Sequence, residues 1–384
     1  MLSLRSNSNS KQSYRLHGKL HGHSGAIVRL QATDDGNFLA SGGTDGTKAW
    51  DLHSMREIPG PTWLETHGAT TAIVWVKRED NMTLALVYGT QNSQLVCWQG
   101  VKREGKLVFE EVFIAAPLIK SAEITGLAFD ASSNRLAVCH RGGVIQLWTV
   151  ENSMTLKYVW SQEFKNYVPR AVAFSQLDGD ERSVLVFPLY GGYIHTLNAD
   201  KGTVADSPWH ISTNIGDVAV NAQKGLVCVD EPSSGVNLYG LSNPHARTTF
   251  PVDTTPGKKR RLRQVALDKD CTTIVSGSDH GVVHVFDRRS QGVEKLRVDA
   301  HEWVQTVTVS CINGARAVFA AKSRDIGRSN EIFVWRKKHT KIPVNPVTLF
   351  CAALIAIQLV LMIAVVVVVY EEAIFPIFNL KFRM

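Results

Sequence analysis

The segment Phe38-Leu-Ala-Ser-Gly-Gly-Thr-Asp45-Gly46-Thr-Lys-Ala-Trp50-Asp51 consists of two stretches of strand length on either side of an Asp-Gly pair. Asp-Gly is a favoured tight turn between antiparallel strands, because both positions accept a positive φ. The second stretch ends in a large aromatic residue, Trp50. The segment therefore predicts a β-hairpin, and it supplies a pattern that can be sought in the rest of the chain.

The same pattern recurs at intervals of 42 to 50 residues. Most units contain an early strand with alternating apolar positions, a short apolar strand, a Gly-containing turn and a last strand that ends in a large residue. These closing positions are Trp50, Trp98, Trp148, Leu197, Tyr239, Phe286 and Trp335. A repeat of this length made of short strands indicates a series of similar β-structured units. The sequence thus predicts an all-β fold of seven units.

The first unit contains four motifs, His23-Ser-Gly25, Ser41-Gly42, Asp45-Gly46 and Trp50-Asp51. With these motifs the chain resembles a WD40-repeat β-propeller, and the resemblance implies a seven-bladed propeller in which each unit is one blade. In that family, a His, a Ser, an Asp and a Trp form a hydrogen-bonded network that ties the strands of a blade together. The resemblance assigns this role to residues of the first and sixth units, namely His23, Ser41, Asp45, Trp50, Ser276 and Asp279. Phe286 replaces the Trp in the sixth unit, and the fourth and fifth units depart furthest from the family pattern.

We place the propeller at residues 13–336 and expect residues 1–12, which are rich in Ser and Asn, to form a disordered arm. This arm lacks the apolar stretch of a secretory signal peptide. Propellers usually close when an N-terminal strand completes the last blade, and Tyr14–Leu20 is a plausible donor. Closure removes the exposed sheet edge that would otherwise promote aggregation.

Residues 347–370 carry no charge over 24 positions, and this pattern predicts one C-terminal transmembrane helix. A helix of that length extends ~36 Å, enough for a hydrocarbon layer of ~30 Å. The basic linker at residues 337–346 precedes it, so the positive-inside bias places the propeller in the cytosol and residues 371–384 in the lumen as a short tail. The moderately hydrophobic span and its weakly basic tail favour the endoplasmic reticulum among intracellular membranes.

The formal charge of +7, from 42 Lys and Arg against 35 Asp and Glu, is concentrated locally. The run Lys258–Arg263 and the linker before the predicted span together exceed the whole excess, so the rest is nearly neutral. We interpret the run as a solvated loop between blades, and expect no nucleic-acid partner. A basic loop could also contact anionic lipid or an acidic protein.

The sequence contains none of the common catalytic motifs, and we expect neither a catalytic residue nor a cofactor. The six cysteines are spread singly without a CxxC pair, which argues against structural zinc and a disulfide framework. His280 and His284 are four residues apart in a segment of strand character, so we expect them ~13 Å apart and without a metal. His17, His21 and His23 lie close together in the sequence, but the WD40 network already accounts for His23.

The predicted function is a non-enzymatic scaffold that binds one or more proteins through the top face of the propeller while anchored to an intracellular membrane. Two alternatives remain open. The architecture is similar to the endoplasmic-reticulum nucleotide-exchange factors that start vesicle-coat assembly, although their Gly- and Asn-rich potassium-binding loop is not found here. The run Phe286-Asp287-Arg288-Arg289 resembles the box by which some WD40 proteins dock on a cullin-ligase adaptor, which requires Trp at the first position. The partner-binding residues stay unassigned; Lys48, Arg141 and Arg170 are polar residues near the predicted channel-mouth loops.

Overall fold

The computed structural model describes residues 13–62, 65–80, 83–115, 122–176, 182–205, 208–211, 214–241, 243–255, 261–299, 302–322, 330–337 and 357–366. The chain divides into two units, Met1–Lys338 and His339–Met384. The expected N-terminal arm, the linker after residue 337 and the expected lumenal tail lie outside the described residues.

Short strands make up almost all of the first unit where it is described. In chain order they begin with β1 (Tyr14–His23), β2 (Ile27–Ala32), β3 (Phe38–Gly43), β4 (Gly46–Asp51), β5 (Arg56–Ile58), β6 (Thr70–Lys77), β7 (Leu84–Thr90), β8 (Leu95–Arg103), β9 (Lys106–Ala115), β10 (Ile124–Asp130), β11 (Arg135–His140), β12 (Val144–Val150), β13 (Leu156–Glu163) and β14 (Pro169–Gln176). They continue as β15 (Arg182–Pro188), β16 (Tyr193–Asn198), β17 (Trp209–His210), β18 (Asp217–Asn221), β19 (Leu226–Glu231), β20 (Gly235–Gly240), β21 (Asn243–Pro251), β22 (Val265–Leu267), β23 (Thr273–Ser276), β24 (Val282–Asp287), β25 (Val293–Arg297), β26 (Val304–Ile312), β27 (Ala315–Lys322) and β28 (Asn330–Lys337). A short 3-10 helix, Glu65–His67, precedes β6.

Within the described residues these strands form seven four-stranded antiparallel sheets, which confirms the predicted seven-bladed all-β fold. Blades one to six are β2–β5, β6–β9, β10–β13, β14–β17, β18–β21 and β22–β25, and blade seven is β26–β28 completed by β1. The predicted hairpin joins β3 to β4, with Gly46 at a φ of 98° in the turn. Only a residue without a Cβ adopts that conformation without strain, which explains the Asp-Gly pair.

The first strands of the blades form a closed ring. Each contacts the first strand of the next blade, from β2 through β6, β10, β14, β18 and β22 to β26, and β26 contacts β2. Because these strands are innermost, they surround a central channel. Their inward side chains and the loops at their two ends are the surfaces available for a ligand.

The ring is closed by the N-terminal strand, as the sequence predicted. β1 pairs with β28 in antiparallel register from Tyr14 opposite Lys337 to His23 opposite Asn330, so the closing strand is longer than the predicted Tyr14–Leu20. Leu20 packs with Trp50 of blade one and Ile332 of blade seven. The closing strand therefore completes both a sheet and the apolar contact between the first and last blades.

The core consists of apolar clusters between neighbouring blades. Seven clusters of buried side chains occur among the described residues, one at each blade interface. Alternate residues of a strand point to opposite faces of its sheet, and each sheet here is covered on both faces. This is why strands such as β7 and β27 read as nearly continuous apolar runs.

The second unit contains a helix at residues 357–366, whose side chains are exposed. A search of the described residues finds no helix long and apolar enough to cross a membrane. The other positions of the predicted span at residues 347–370 lie outside the described residues.

Leu20→Ala tests the closing strand. Leu20 is 1% exposed, so the substitution leaves a cavity at the seam between blades and is expected to lower the free energy of unfolding by about 2–5 kcal/mol. Leu16 on the same strand is 51% exposed, and Leu16→Ala is expected to change it by no more than about 0.5 kcal/mol. Chemical denaturation measures both, and equal effects of the two variants would contradict the pairing of β1 with β28.

Candidate functional site

The propeller has two faces with different loops. The top face carries the loops that lead into the first strands and the turns between second and third strands, including the Asp45 turn. The bottom face carries the loops that leave the first strands, including the turn that contains Asp34 and Asp35. Binding residues of a propeller lie on one of these faces or in the channel between them.

The four network residues assigned in blade one lie together at the top face. The Trp50 indole donates to the Ser41 hydroxyl at 2.7 Å, and Ser41 Oγ lies 2.7 Å from His23 Nε2. His23 Nδ1 lies 2.7 Å from Asp45 Oδ1. Because the carboxylate can only accept, Nδ1 carries the proton and Nε2 accepts from Ser41. The chain of hydrogen bonds joins the end of β1 to the hairpin of β3 and β4.

The electrostatics of this network favour an ionised Asp45. Burial by itself raises the pKa of a carboxyl, but the hydrogen bonds that Asp45 accepts from His23 and from the Ser24 amide outweigh burial. The pKa of Asp45 is therefore well below its usual range. The negative charge stabilises the turn at neutral pH and is lost only in strong acid.

Blade six arranges the corresponding residues differently. The Phe286 side chain has no N–H group, unlike the Trp50 indole of blade one. The Ser276 hydroxyl instead donates to the carbonyl of Gly277 at 3.3 Å. Asp279 lies 2.8 Å from Nδ1 of its neighbour His280 and accepts the Thr255 amide at 2.9 Å. Asp279 thus has a histidine partner, as Asp45 has, but the histidine comes from the turn itself.

The expected separation of His280 and His284 is wrong. Their ring centroids lie 5.8 Å apart, because His280 occupies the turn before β24 while His284 lies within β24. The extended spacing of ~3.3 Å per residue does not apply across a turn. Asp253, in the loop after β21, comes within reach of both: one possible ligand atom of each of the three residues lies within 4.8 Å of the others. Among the described residues this is the one group of three His, Cys, Asp or Glu side chains with metal-ligand spacing.

Polar side chains of different blades meet in the channel, and the contacts of Arg29 and Gln264 cross between blades that are not neighbours in the ring. Arg29 of β2 forms an ion pair with Asp217 of β18 at 2.8 Å, and Arg170 of β14 donates to the Gly216 carbonyl at 2.7 Å. Gln264 donates to the Leu30 carbonyl at 2.8 Å, from blade six to blade one. These contacts place Arg170, a residue near a predicted channel-mouth loop, inside the channel itself.

The basic run Lys258–Arg263 is not uniformly a solvated loop. Arg263 is buried and forms an ion pair with buried Asp230 at 2.8 Å, and Arg261 lies 4.7 Å over the Trp303 ring. Burial raises the pKa of Asp230 to about 7, although the Arg263 charge opposes this shift. The expectation of a solvated loop is therefore wrong for Arg263, whose side chain is buried against Asp230. Residues 258–260 lie outside the described residues.

A cavity of about 820 Å³ fills the channel below the crossing contacts. Arg29, Asp217 and Gln264 line its inner end, and Asp35, Asp130 and Lys269 line it at the bottom-face loops. The cavity therefore belongs to the bottom half of the channel, whereas the sequence favoured the top face for binding. The acidic turn Asp34-Asp35 was the available sequence signal for polar side chains at this end.

The top face presents aromatic side chains in blade four. Tyr190 is 63% exposed and Tyr193 is 53% exposed, and both lie at the turn between β15 and β16. The Tyr193 and His210 rings pack against each other in a tilted arrangement, with centroids 4.4 Å apart. Exposed tyrosines are typical of protein-binding surfaces, because they bury a large apolar area and also offer a hydroxyl. Sequence reasoning did not single them out.

The remaining sequence candidates lie at the surface. Lys48 forms an ion pair with Glu57 at 2.7 Å, and Arg141 forms one with Glu123 at 3.0 Å. In the segment compared with a ligase-docking box, Phe286 is buried, Asp287 accepts the backbone amides of Arg289 and Ser290, and the Arg289 side chain is exposed.

The described cysteines are unsuited to nucleophilic chemistry. Each of Cys97, Cys139, Cys228, Cys271 and Cys311 is a free thiol, and all but Cys311 are buried. Burial raises the pKa of Cys97 and of Cys139 to about 12. A thiol with so high a pKa is protonated at neutral pH and reacts poorly.

Comparison with known families agrees with this geometry. The WD40 family model, described as WD domain, G-beta repeat, matches residues 14–51, which contain the closing strand and most of blade one. A search of curated proteins found no match. The match identifies one WD40 repeat at residues 14–51, and the described strands form a seven-bladed propeller, which is an architecture of WD40 proteins. Propellers of this family are typically non-enzymatic scaffolds that bind other proteins.

Asp45→Asn is expected to lower the free energy of unfolding by about 1.5–3 kcal/mol at neutral pH, because hydrogen bonds to a charged group are lost. The depressed pKa of Asp45 means that its charge stabilises the fold above the unfolded-state pKa of about 3.9, and that this contribution falls as the pH decreases below that value. The difference between wild type and Asp45→Asn should therefore shrink from pH 5 towards pH 2, which urea denaturation at several pH values measures.

Asp34→Asn is the control for this experiment, since Asp34 is exposed and its substitution is expected to change stability by about 0.5 kcal/mol or less. A wild-type to Asp45→Asn difference that stays constant with pH would contradict a charged Asp45 in the network.

Proposed function

We propose that this protein is a non-enzymatic scaffold that binds a protein partner through the top face of its propeller. The observation that carries the proposal is the exposure of Tyr190 and Tyr193 on that face. A closed propeller is rigid, so aromatic anchors on its turns are held in place before binding and lose little conformational freedom. The crossing contacts of Arg29, Asp217 and Gln264 close the channel below this face, so the partner is expected to dock on the turns.

We further propose that residues 347–370 anchor the chain in an intracellular membrane, with the propeller in the cytosol and the endoplasmic reticulum as the favoured site. The support is the uncharged sequence of 24 residues and the basic residues that precede it. Attachment to a membrane raises the local concentration of any partner that also contacts that membrane. Binding on a membrane surface would thus be the function of the two parts together.

Substitution of both tyrosines tests the binding face. In a Tyr190→Ala, Tyr193→Ala double variant, recovery of the partner is expected to fall, because hot-spot residues contribute ~2 kcal/mol or more, which corresponds to about 30-fold or more in affinity. Tyr158→Ala is the matched control, since Tyr158 is 45% exposed on the outer strand β13 of blade three. Cross-linking in cells followed by quantitative mass spectrometry compares the three chains.

If every captured protein is recovered equally with the wild type, the double variant and Tyr158→Ala, the top-face proposal is wrong.

Nucleotide exchange is tested with the same chains in purified form, which should leave GDP release from vesicle-coat GTPases unchanged. Acceleration by residues 14–336 would replace the binding-only proposal with nucleotide exchange.

The anchor is tested separately by imaging. A tagged full-length chain is expected on the endoplasmic reticulum, and a chain that ends at Lys341 is expected to be diffuse, because it lacks residues 347–370. If the full-length and truncated chains have the same diffuse distribution, the membrane proposal is wrong, while the binding proposal stands on its own experiment.

A further inference from the structure

Three potential metal ligands from two blades meet at the top face. Asp253 lies in the loop between β21 and β22, His280 lies in the turn between β23 and β24, and His284 lies in β24. One donor atom from each lies within 4.8 Å of the other two. Asp253 is exposed and His280 is partly exposed, whereas His284 is at the floor of the group.

His284 is the unusual member of the group. Its side chain is 1% exposed, and neither ring nitrogen has a hydrogen-bond partner within the described part of the chain. Its ring stacks on Phe286 at a centroid distance of 5.9 Å, which fixes its position in the strand. Buried polar groups in folded proteins are almost always hydrogen-bonded, and an unpaired one costs about 1–3 kcal/mol. An imidazole kept in this setting requires an explanation.

His284 can offer a ring nitrogen to a metal ion. The ring is buried, and neither of its nitrogens is engaged in a hydrogen bond within the described residues. Metal ions bind imidazole in its neutral form.

His280 is oriented by a neighbouring carboxylate. Its Nδ1 lies 2.8 Å from Asp279 Oδ1, and the other oxygen of the same carboxylate accepts the Thr255 amide at 2.9 Å. An ionised carboxylate can only accept, so Nδ1 carries the proton and Nε2 keeps its lone pair. A carboxylate that holds the second nitrogen of a histidine is the usual support of a metal-binding imidazole.

We propose that Asp253, His280 and His284 form a binding site for one divalent transition-metal ion, with Zn²⁺ as the ion that fits the donors best. Two imidazoles and one carboxylate suit zinc rather than magnesium or calcium, which prefer oxygen ligands. Tetrahedral zinc holds its donors roughly 3.3 Å apart, so the group must contract. His284 is fixed by its strand, and the exposed Asp253 and the turn at His280 supply the movement. Water would take the fourth position.

Lys295 is the competitor for this site. Its Nζ lies 2.5 Å from Asp253 Oδ2, and in β25 it is directly opposite His284. In the absence of metal its charge neutralises Asp253. A cation between the three ligands must either displace Lys295 or share the carboxylate with it, so this lysine weakens the affinity for zinc.

Zinc titration of the purified full-length chain by calorimetry tests the proposal. The wild type is expected to bind one Zn²⁺ at this site, and His280→Ala and Asp253→Asn should each weaken this binding by about tenfold or more, an effect at least as large as that of losing a supporting residue. His245→Ala is the matched control, because His245 is exposed near the start of β21, whereas Asp253 follows the other end of that strand. Neither His280→Ala nor Asp253→Asn removes a buried side chain, so both are expected to fold.

Lys295→Gln gives the opposite expectation. Removal of the competing charge should tighten zinc binding, and a shift of the thermal midpoint by zinc should be larger in this variant than in wild type. Absence of zinc binding by the wild type would overturn the proposal. So would equal affinities of wild type, His280→Ala and Asp253→Asn, and an unchanged affinity in Lys295→Gln would show that the ion does not bind beside Asp253.

Discussion

The pairing of β1 with β28 joins the two ends of the propeller, and the other blade contacts depend on it. Each sheet is apolar on both faces and needs a neighbour on either side, so an open ring would leave two apolar faces in water. At the seam these faces include Leu20, Trp50 and Ile332. The blade-one network is attached to the same strand, because His23 is its last residue. Closure and the best-formed WD40 network are therefore parts of one structural unit.

Polar contacts cross the channel of the propeller. Arg29 and Asp217 come from blades one and five; Asp217 is almost fully buried and Arg29 is partly buried. The desolvation of these charges is costly, and their pairing offsets that cost without a large net gain in stability. These contacts separate the two ends of the channel. The cavity lies towards the bottom face, and the top face consists of turns and loops.

Blades one and six show how one position in the repeat supports two different chemistries. In blade one, Trp50 donates to Ser41, and Ser41 and Asp45 are the partners of the two ring nitrogens of His23, so every member of the network has a partner. In blade six, Phe286 lacks the indole donor, a histidine of the turn itself, His280, is the partner of the turn aspartate, and His284 is buried without a hydrogen bond among the described residues. The absence of the indole donor is thus accompanied by a pair of imidazoles that face a carboxylate from the loop after blade five.

The sequence by itself determined the repeat, the count of blades, the Asp45-Gly46 hairpin and the closing strand, because strand period and turn chemistry are local properties that recur along the chain. It did not determine which distant residues meet. Arg29 and Asp217 are 188 residues apart and pair across the channel. Arg263, the last residue of the basic run, forms an ion pair with Asp230. His280 and His284 were expected to be far apart because both were assigned to one extended strand. The turn brings them together, and the adjacent blade adds Asp253. Only the tertiary structure decided these contacts, since ring closure sets the position of each blade relative to all the others, and the local pattern of a blade carries no information about that position.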